Sequence, residues 1–331
     1  MSDKTRTPGT LQTFPEFNAR LHRFAVLLCA STLVLIFVGG LVTSTGSALA
    51  VPDWPLSYGQ FFPEMAGGVL FEHGHRMVAA TVGLMTLIMA IWLWRQESRK
   101  GLRRLGAFAL LAVICQGILG GITVLFLLPV AVSVSHAALA QIFFCLTTCL
   151  AVFTSRAWLE DPQRIDDSGT PSLRLLARTA TLLIYLQIMA GALMRHTASG
   201  LAIPDFPLSY GHVVPPFFTR QILIHYVHRL GALIVTCIVA WLAYGVLGQH
   251  RREKTLRRSA VFLITALAAQ ILLGAFTIWS SRETIVTTLH VAGGALTLAA
   301  SLRLTLLVHR MALSPASAVS AAVACASTAT E

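Results

Sequence analysis

Four histidines, His75, His136, His228 and His290, are spaced for chemistry: the first two are 61 residues apart and the second two 62. Each falls within about two helical turns of one end of an apolar stretch. Ionisable side chains inside a membrane span are costly and usually functional. Two imidazoles at one depth, facing each other across a bundle interior, complete the two open axial positions of the iron in a planar tetrapyrrole. For any single histidine an interhelical hydrogen bond is an equally good explanation. Pairing and repetition at equal depth favour ligation. Zinc fits less well, because neither pair comes with third and fourth ligands at spaced positions.

Apolar stretches of about 20 residues, the length that crosses a hydrocarbon core of about 30 Å, must position these histidines. They lie at 24–43, 74–94, 105–127, 132–153, 174–194, 221–246, 259–280 and 286–308. The 331 residues are 55% hydrophobic and 12% charged, with a mean hydropathy of +0.71, which excludes an ordinary soluble domain. Net charge is +11. Twenty of the 25 Lys and Arg fall in the amino-terminal arm, the 95–104 and 250–258 loops, the 155–178 segment and the carboxy-terminal end, while Arg76, Arg195, Arg220, Arg229 and Arg282 fall opposite. That is a positive-inside pattern with both termini in the cytoplasm, and it needs no nucleic acid to explain it. The first apolar run is too long for a signal-peptide core, so the first helix is expected to be retained. Cys29, Cys115, Cys145, Cys149 and Cys237 lie in expected spans and Cys325 in the tail, so no outward disulfide framework is available.

The chain also repeats itself. Gly39 to Gln60 (GGLVTSTGSALAVPDWPLSYGQ) aligns without a gap to Gly191 to His212 (GALMRHTASGLAIPDFPLSYGH), with 13 of 22 positions identical. His75-Arg76 matches His228-Arg229, Gln116 to Gly120 matches Gln270 to Gly274, and His136 matches His290, at offsets of 152 to 154 residues. The expected architecture is an all-α membrane protein of eight transmembrane helices, built as two tandem four-helix bundles of the same orientation. Its parts are an arm over 1–23, a first haem-binding repeat over 24–154, a linker over 155–173, a second repeat over 174–309 and a tail over 310–331. Four spans per copy give both copies one orientation and an axis along the membrane normal. All even-numbered spans run from outside to inside, which brings each pair of imidazoles to one depth on two helices expected to be neighbours.

Gly39-x-x-Val42-x-x-Thr45-Gly46-Ser47, Pro52-Asp53-Trp54-Pro55, Glu72-His73-Gly74-His75-Arg76 and the paired His136 and His290 together resemble the haem A synthase family. The resemblance covers nearly the whole chain. It implies a bacterial inner-membrane oxidoreductase whose second copy holds a haem b cofactor on His228 and His290. The first copy then receives haem O on His75 and His136 and oxidises its C8 methyl to a formyl, giving haem A. It also implies functional partners in a haem O synthase and an aa3-type oxidase, with a quinone or another acceptor taking electrons. Some members carry a cysteine pair in the first outward loop. Here that region has Val51 and Ser57 and no cysteine, so a mechanism routed through such a pair is excluded.

The two copies differ at one telling place: Glu72 stands three residues before His75, and its counterpart before His228 is His225. Positions i and i+3 share a helix face, so the carboxylate is expected to point toward whatever His75 binds. Methyl oxidation needs proton removal and stabilisation of developing positive charge, which a carboxylate in a low-dielectric pocket supplies. Glu72 is therefore the candidate catalytic residue and the first copy the reactive one, with an i,i+4 pairing to Arg76 as the alternative role. Arg76 and Arg229 are candidate contacts for haem propionates, or else snorkel to water. The loops around Asp53 and Asp205 cannot be helical through their prolines and are read as lids over the haem pockets. Gln116 and Gln270 are read as helix-packing residues. His73 is expected off the ligand face. His22, His250 and His309 read as interfacial, and His196 and His212 are given no role. A di-haem b cytochrome exchanging electrons with quinone is the alternative function; it would keep the four histidines but has no need of Glu72 in one copy alone.

Overall fold

A computed structural model describes residues 17–160 and 164–312. Among the described residues the secondary structure is helical: α1 (Ala19–Ser44), α2 (Gly68–Gln96), α3 (Lys100–Leu125), α4 (Val130–Phe153), α5 (Arg156–Leu159), α6 (Leu173–His196), α7 (Arg220–Gln249), α8 (Lys254–Trp279) and α9 (Thr284–Met311). All but the one-turn α5 are long and apolar enough to cross a membrane, at 24 to 30 residues each. Helices satisfy every backbone amide internally, which is what hydrocarbon demands of a spanning segment. Cys325 and the tail from 313 lie outside the described residues, as does the arm up to 16.

The helices outrun the apolar stretches that announce them. α1 begins at Ala19 and takes in the last residues of the arm expected over 1–23, and α2 begins at Gly68 rather than near 74. Hydropathy marks only the part in hydrocarbon, whereas helical hydrogen bonding continues until a cap stops it. Asn18 Oδ1 accepts from Leu21 N–H at 3.0 Å, and Thr219 Oγ1 from Ile222 N–H at 3.2 Å. The 155–173 linker, where it is described, is also built into the fold. It holds α5 and is tied to the end of α9, where Ile165 N–H donates to Met311 O at 2.8 Å and Arg310 donates to Ala157 O and Glu160 O.

In the first copy α1 packs on α2 and α4, and α3 packs on α2 and α4, closing a ring in which α2 and α4 do not touch. The second copy repeats this with α6, α7, α8 and α9, leaving α7 and α9 apart. The histidine-bearing helices are thus diagonal, which corrects the expectation that they are neighbours. In an up-down-up-down ring every adjacent pair is antiparallel, so two helices of the same direction can only face each other across the axis. The copies meet where α4 touches α9, α1 touches α9 and α4 touches α6. Exchanging α1 with α6 and α4 with α9 maps this set of contacts onto itself, as a twofold axis along the bundles requires.

We call the face bearing the 45–67 and 197–219 loops the outer face. The opposite half of each bundle is solid apolar core: Leu28, Val82, Met89, Leu93, Ala109, Phe143 and Leu150 in the first, and Ala180, Val239, Leu242, Leu256, Leu263 and Leu304 in the second. The four histidines lie outward of these cores. Each bundle therefore carries its two histidines outward of an apolar core.

Candidate functional site

His75 stands on α2, His136 on α4, His228 on α7 and His290 on α9, all in the outer half and all half-buried. Each ring lies against a glycine of an adjacent helix. A Cβ built on Gly39, Gly191 or Gly274 would sit 3.0 Å from Cε1 of His75, His228 or His290, and one on Gly120 would sit 3.3 Å from Cε1 of His136. Glycine there is a matter of room: the helices come close enough that a methyl group would push the imidazole aside. Gly191→Ala is accordingly expected to shift the spectrum of any haem held by His228 and lower its occupancy. Gly248→Ala, which meets nothing within 4 Å, is expected to leave both unchanged. Equal absorption spectra for the two purified variants would remove the glycine contact from the site.

Three glutamines, four residues before three of these glycines, hold three of the histidines. Gln116 Nε2 donates to His136 O at 3.0 Å and lies 3.3 Å from its ring Nε2. Gln187 Nε2 donates to His228 O at 2.7 Å and lies 3.1 Å from its Nδ1. Gln270 Nε2 donates to His290 O at 2.8 Å, and His290 Nδ1 lies 3.2 Å from the backbone carbonyl oxygen of Gln270. The sequence reading of Gln116 and Gln270 as packing residues missed this, and Gln187 was not singled out at all. The signal was present: Gln-x-x-x-Gly occurs at 116–120, 187–191 and 270–274, always on the helix beside a histidine helix.

Above the histidines the two loops are built alike. Asp53 accepts from Tyr58 N–H and Gly59 N–H at 2.7 and 2.8 Å, and Asp205 accepts from Tyr210 and Gly211 at the same distances. The Gly59 and Gly211 amides hold their aspartates below the usual carboxylate range. Ser57 and Gln60 exchange backbone hydrogen bonds around a two-residue turn, as do Ser209 and His212. Both central residues of each turn have positive φ (Tyr58 54°, Gly59 69°; Tyr210 56°, Gly211 76°), the signature of a type I′ hairpin. The expected lids reach across their bundles: the Trp54 indole lies over Gly121 of α3, and Phe206 stacks edge-on with Trp279 of α8 at 6.1 Å.

Arg76 and Arg229 pin these loops. Arg76 Nη1 donates to Asp53 O and Leu56 O at 2.8 and 2.6 Å, while Arg229 donates to Leu208 O and Asp205 O at 2.7 and 2.6 Å. Glu72, 3% exposed, accepts from Arg76 Nη2 on Oε1 at 2.7 Å and from Val51 N–H on Oε2 at 2.8 Å. The i,i+4 pairing is present, and both carboxylate oxygens face protein donors. His225 takes the same place in the second copy, with Nδ1 3.3 Å from Ile203 N–H and Nε2 3.2 Å from Arg229 Nε; an imidazole accepts at one of these nitrogens, where the carboxylate accepts at both oxygens. One position is a loop anchor in both copies, anionic in the first and imidazole in the second. His73 turns to the loop, with Nδ1 2.8 Å from Ser57 Oγ. Arg195, one residue before His196, reaches from α6 into the first bundle, donating to Gly40 O and Ser44 Oγ.

Residues 66–302 match the model of a family described as cytochrome oxidase assembly protein. The chain belongs to that family. It is 26% identical over 284 residues to a protein named heme A synthase from Lysinibacillus sphaericus (strain C3-41), covering 83% of this chain and 91% of the relative. Proteins of the same name from Shouchella clausii (strain KSM-K16) and Symbiobacterium thermophilum (strain DSM 24528 / JCM 14929 / IAM 14863 / T) are each 30% identical. They cover 76% of this chain, and 82% and 84% of their own lengths.

Proposed function

We propose that this chain is a haem A synthase, an oxidoreductase that seats haem O between His75 and His136 and oxidises its C8 methyl to a formyl. The second copy, in this reading, holds a resident haem b between His228 and His290. One observation carries it: two diagonal histidine pairs, one per bundle, in a chain whose relatives bear that name. The residues fit such a group. Opposed histidines on diagonal helices leave the bundle axis between them, and Nδ1 of both His75 and His136 is sealed from solvent without a hydrogen-bond partner. A buried polar atom left without a partner calls for a group outside the protein to satisfy it, and a haem iron would do so.

A haem b on the second pair would supply an electron-transfer centre; the remaining functions belong to side chains. The inner apolar cores close each bundle from below, and the 45–67 and 197–219 loops cover it from above, which encloses both seats while leaving their half-buried histidines within reach of the water that supplies the formyl oxygen. Arg76 and Arg229, one residue beyond a liganding histidine, place positive charge at the outer rim where propionates would emerge. Glu72 lies one turn from His75 and brings the negative charge that His225 lacks, beside the substrate and not beside the cofactor. Methyl oxidation releases protons and develops positive charge at the ring edge, and a carboxylate there accepts the one and stabilises the other.

Chromatography of haem extracted from the purified protein tests the proposal. Haem O or haem A beside haem b is the expected result. Haem b alone would replace the synthase with a di-haem cytochrome, and no haem at all would overturn both.

The setting belongs to the same proposal: a bacterial inner membrane, both termini cytoplasmic, a haem O synthase upstream, an aa3-type oxidase downstream, and a quinone or other acceptor for the electrons. The charge division supports the orientation. A reporter fused after Glu331 is expected to behave as cytoplasmic and one inserted near Gly67 as exported; the reverse at either place would break the topology.

A further inference from the structure

Three of the four histidines are tied by a glutamine of the neighbouring helix, and the fourth is not. The position equivalent to Gln187, four residues before Gly39, is Leu35, and His75 Nδ1 is buried with no partner. A second difference runs the same way. In the second copy the residue three beyond each histidine is Gly231 or Gly293, and each makes room for the glutamine tip: a Cβ on Gly231 would overlap Gln187 Oε1, and one on Gly293 would sit 2.5 Å from Gln270 Oε1. The first copy has Val78 and Leu139 at those places. The second bundle therefore carries a complete glutamine and glycine clamp on both histidines. The first carries one glutamine, on His136, and none on His75.

Resting on the haem reading above, we propose that this asymmetry divides a retained seat from an exchanging one. Gln187 and Gln270 lock the second haem in place, while Leu35 leaves His75 as the ligand that lets go, so that substrate enters and product leaves on the α1–α2 side of the first bundle. The physical basis is the hold on the ligand. The Gln187 and Gln270 side chains each tie a histidine's backbone carbonyl to the next helix and so hold the turn that carries the ring, and losing such outer partners typically weakens metal binding by about 10- to 100-fold. An enzyme acting on a haem must release it, whereas a resident cofactor must stay. Leu35, Gln187 and Gln270 are positioning residues in this scheme; they act through the histidines and not on the haem.

Transfer of haem from the purified full-length protein to excess apomyoglobin, followed by the Soret band, reads both seats in one experiment. The unaltered protein is expected to give a fast and a slow phase. Leu35→Gln with Val78→Gly, which supplies both the amide and its room, is expected to slow the fast phase by about 10- to 100-fold and leave the slow phase alone. Leu35→Met with Val78→Gly, similar in size but without the amide, is expected to keep the fast phase, which separates the hydrogen bond from packing. Gln187→Leu is expected to speed the slow phase, and the untouched phase in each variant reports that the protein is folded. A single phase in the unaltered protein, or equal rates for the glutamine and methionine variants, would overturn the proposal while leaving haem binding intact. Protein without haem in either bundle would instead overturn the haem reading itself.

Discussion

Glu72→Gln is expected to lower haem A output by about 10² to 10⁴, the range typical of a positioned acid or base, while haem b in the second copy stays bound. The substitution is informative because the structure separates two roles that one carboxylate could have. Glu72 anchors the first loop through Val51 N–H and pairs with Arg76, so a loss of activity alone could reflect a loosened lid. His225 shows that charge is not needed for anchoring: a neutral side chain at the same place receives Ile203 N–H and faces Arg229. Glutamine retains an oxygen for Val51 N–H and loses only the charge. Glu72→His goes further and gives the first copy the anchor of the second. Both variants are expected to insert, to fold and to bind haem O, and neither is expected to convert it. The measurement is chromatographic haem composition from cells, normalised to membrane-inserted protein. Near-normal haem A in Glu72→His would show that the position is a loop anchor and nothing more.

The duplication made much of this legible in sequence. Eight spans, two bundles, the depth of His75, His136, His228 and His290 and the lids around Asp53 and Asp205 all follow from composition, prolines and the repeat. Three things did not. Diagonal placement of α2 and α4 depends on how antiparallel helices close a ring, which the spacing of 61 or 62 residues does not encode. Engagement of Arg76 and Arg229 with loop carbonyls depends on those loops folding back over the helix ends, beyond the reach of an i,i+4 argument. The glutamines were visible but mute, because Gln beside Gly in an apolar run also suits plain helix packing. Only the bonds from Gln116, Gln187 and Gln270 to the His136, His228 and His290 carbonyls show that the amides meet histidines.

His228→Ala and His290→Ala are each expected to abolish the low-spin b-type spectrum, with haem A formation falling to background because the electron-handling seat is gone. The two should behave alike, since they stand across one bundle axis and an axial pair fails when either member is lost. His250→Ala is the matched control: it caps α7 at the inner end, far from the outer-half site, and should leave the spectrum unchanged. The depth of the histidines makes the result specific. Below them, Val239, Leu242, Leu263 and Leu304 form a core to which neither imidazole belongs, so the alanine variants lose a ligand without opening that core. The bundle is then expected to stay helical and membrane-inserted, and haem O is expected to accumulate unconverted on His75 and His136. Optical spectra of purified protein, with circular dichroism for the fold, decide the outcome. An unchanged b-type spectrum in both variants would take the cofactor away from this pair. Loss of spectrum together with loss of helix would assign the histidines to stability instead.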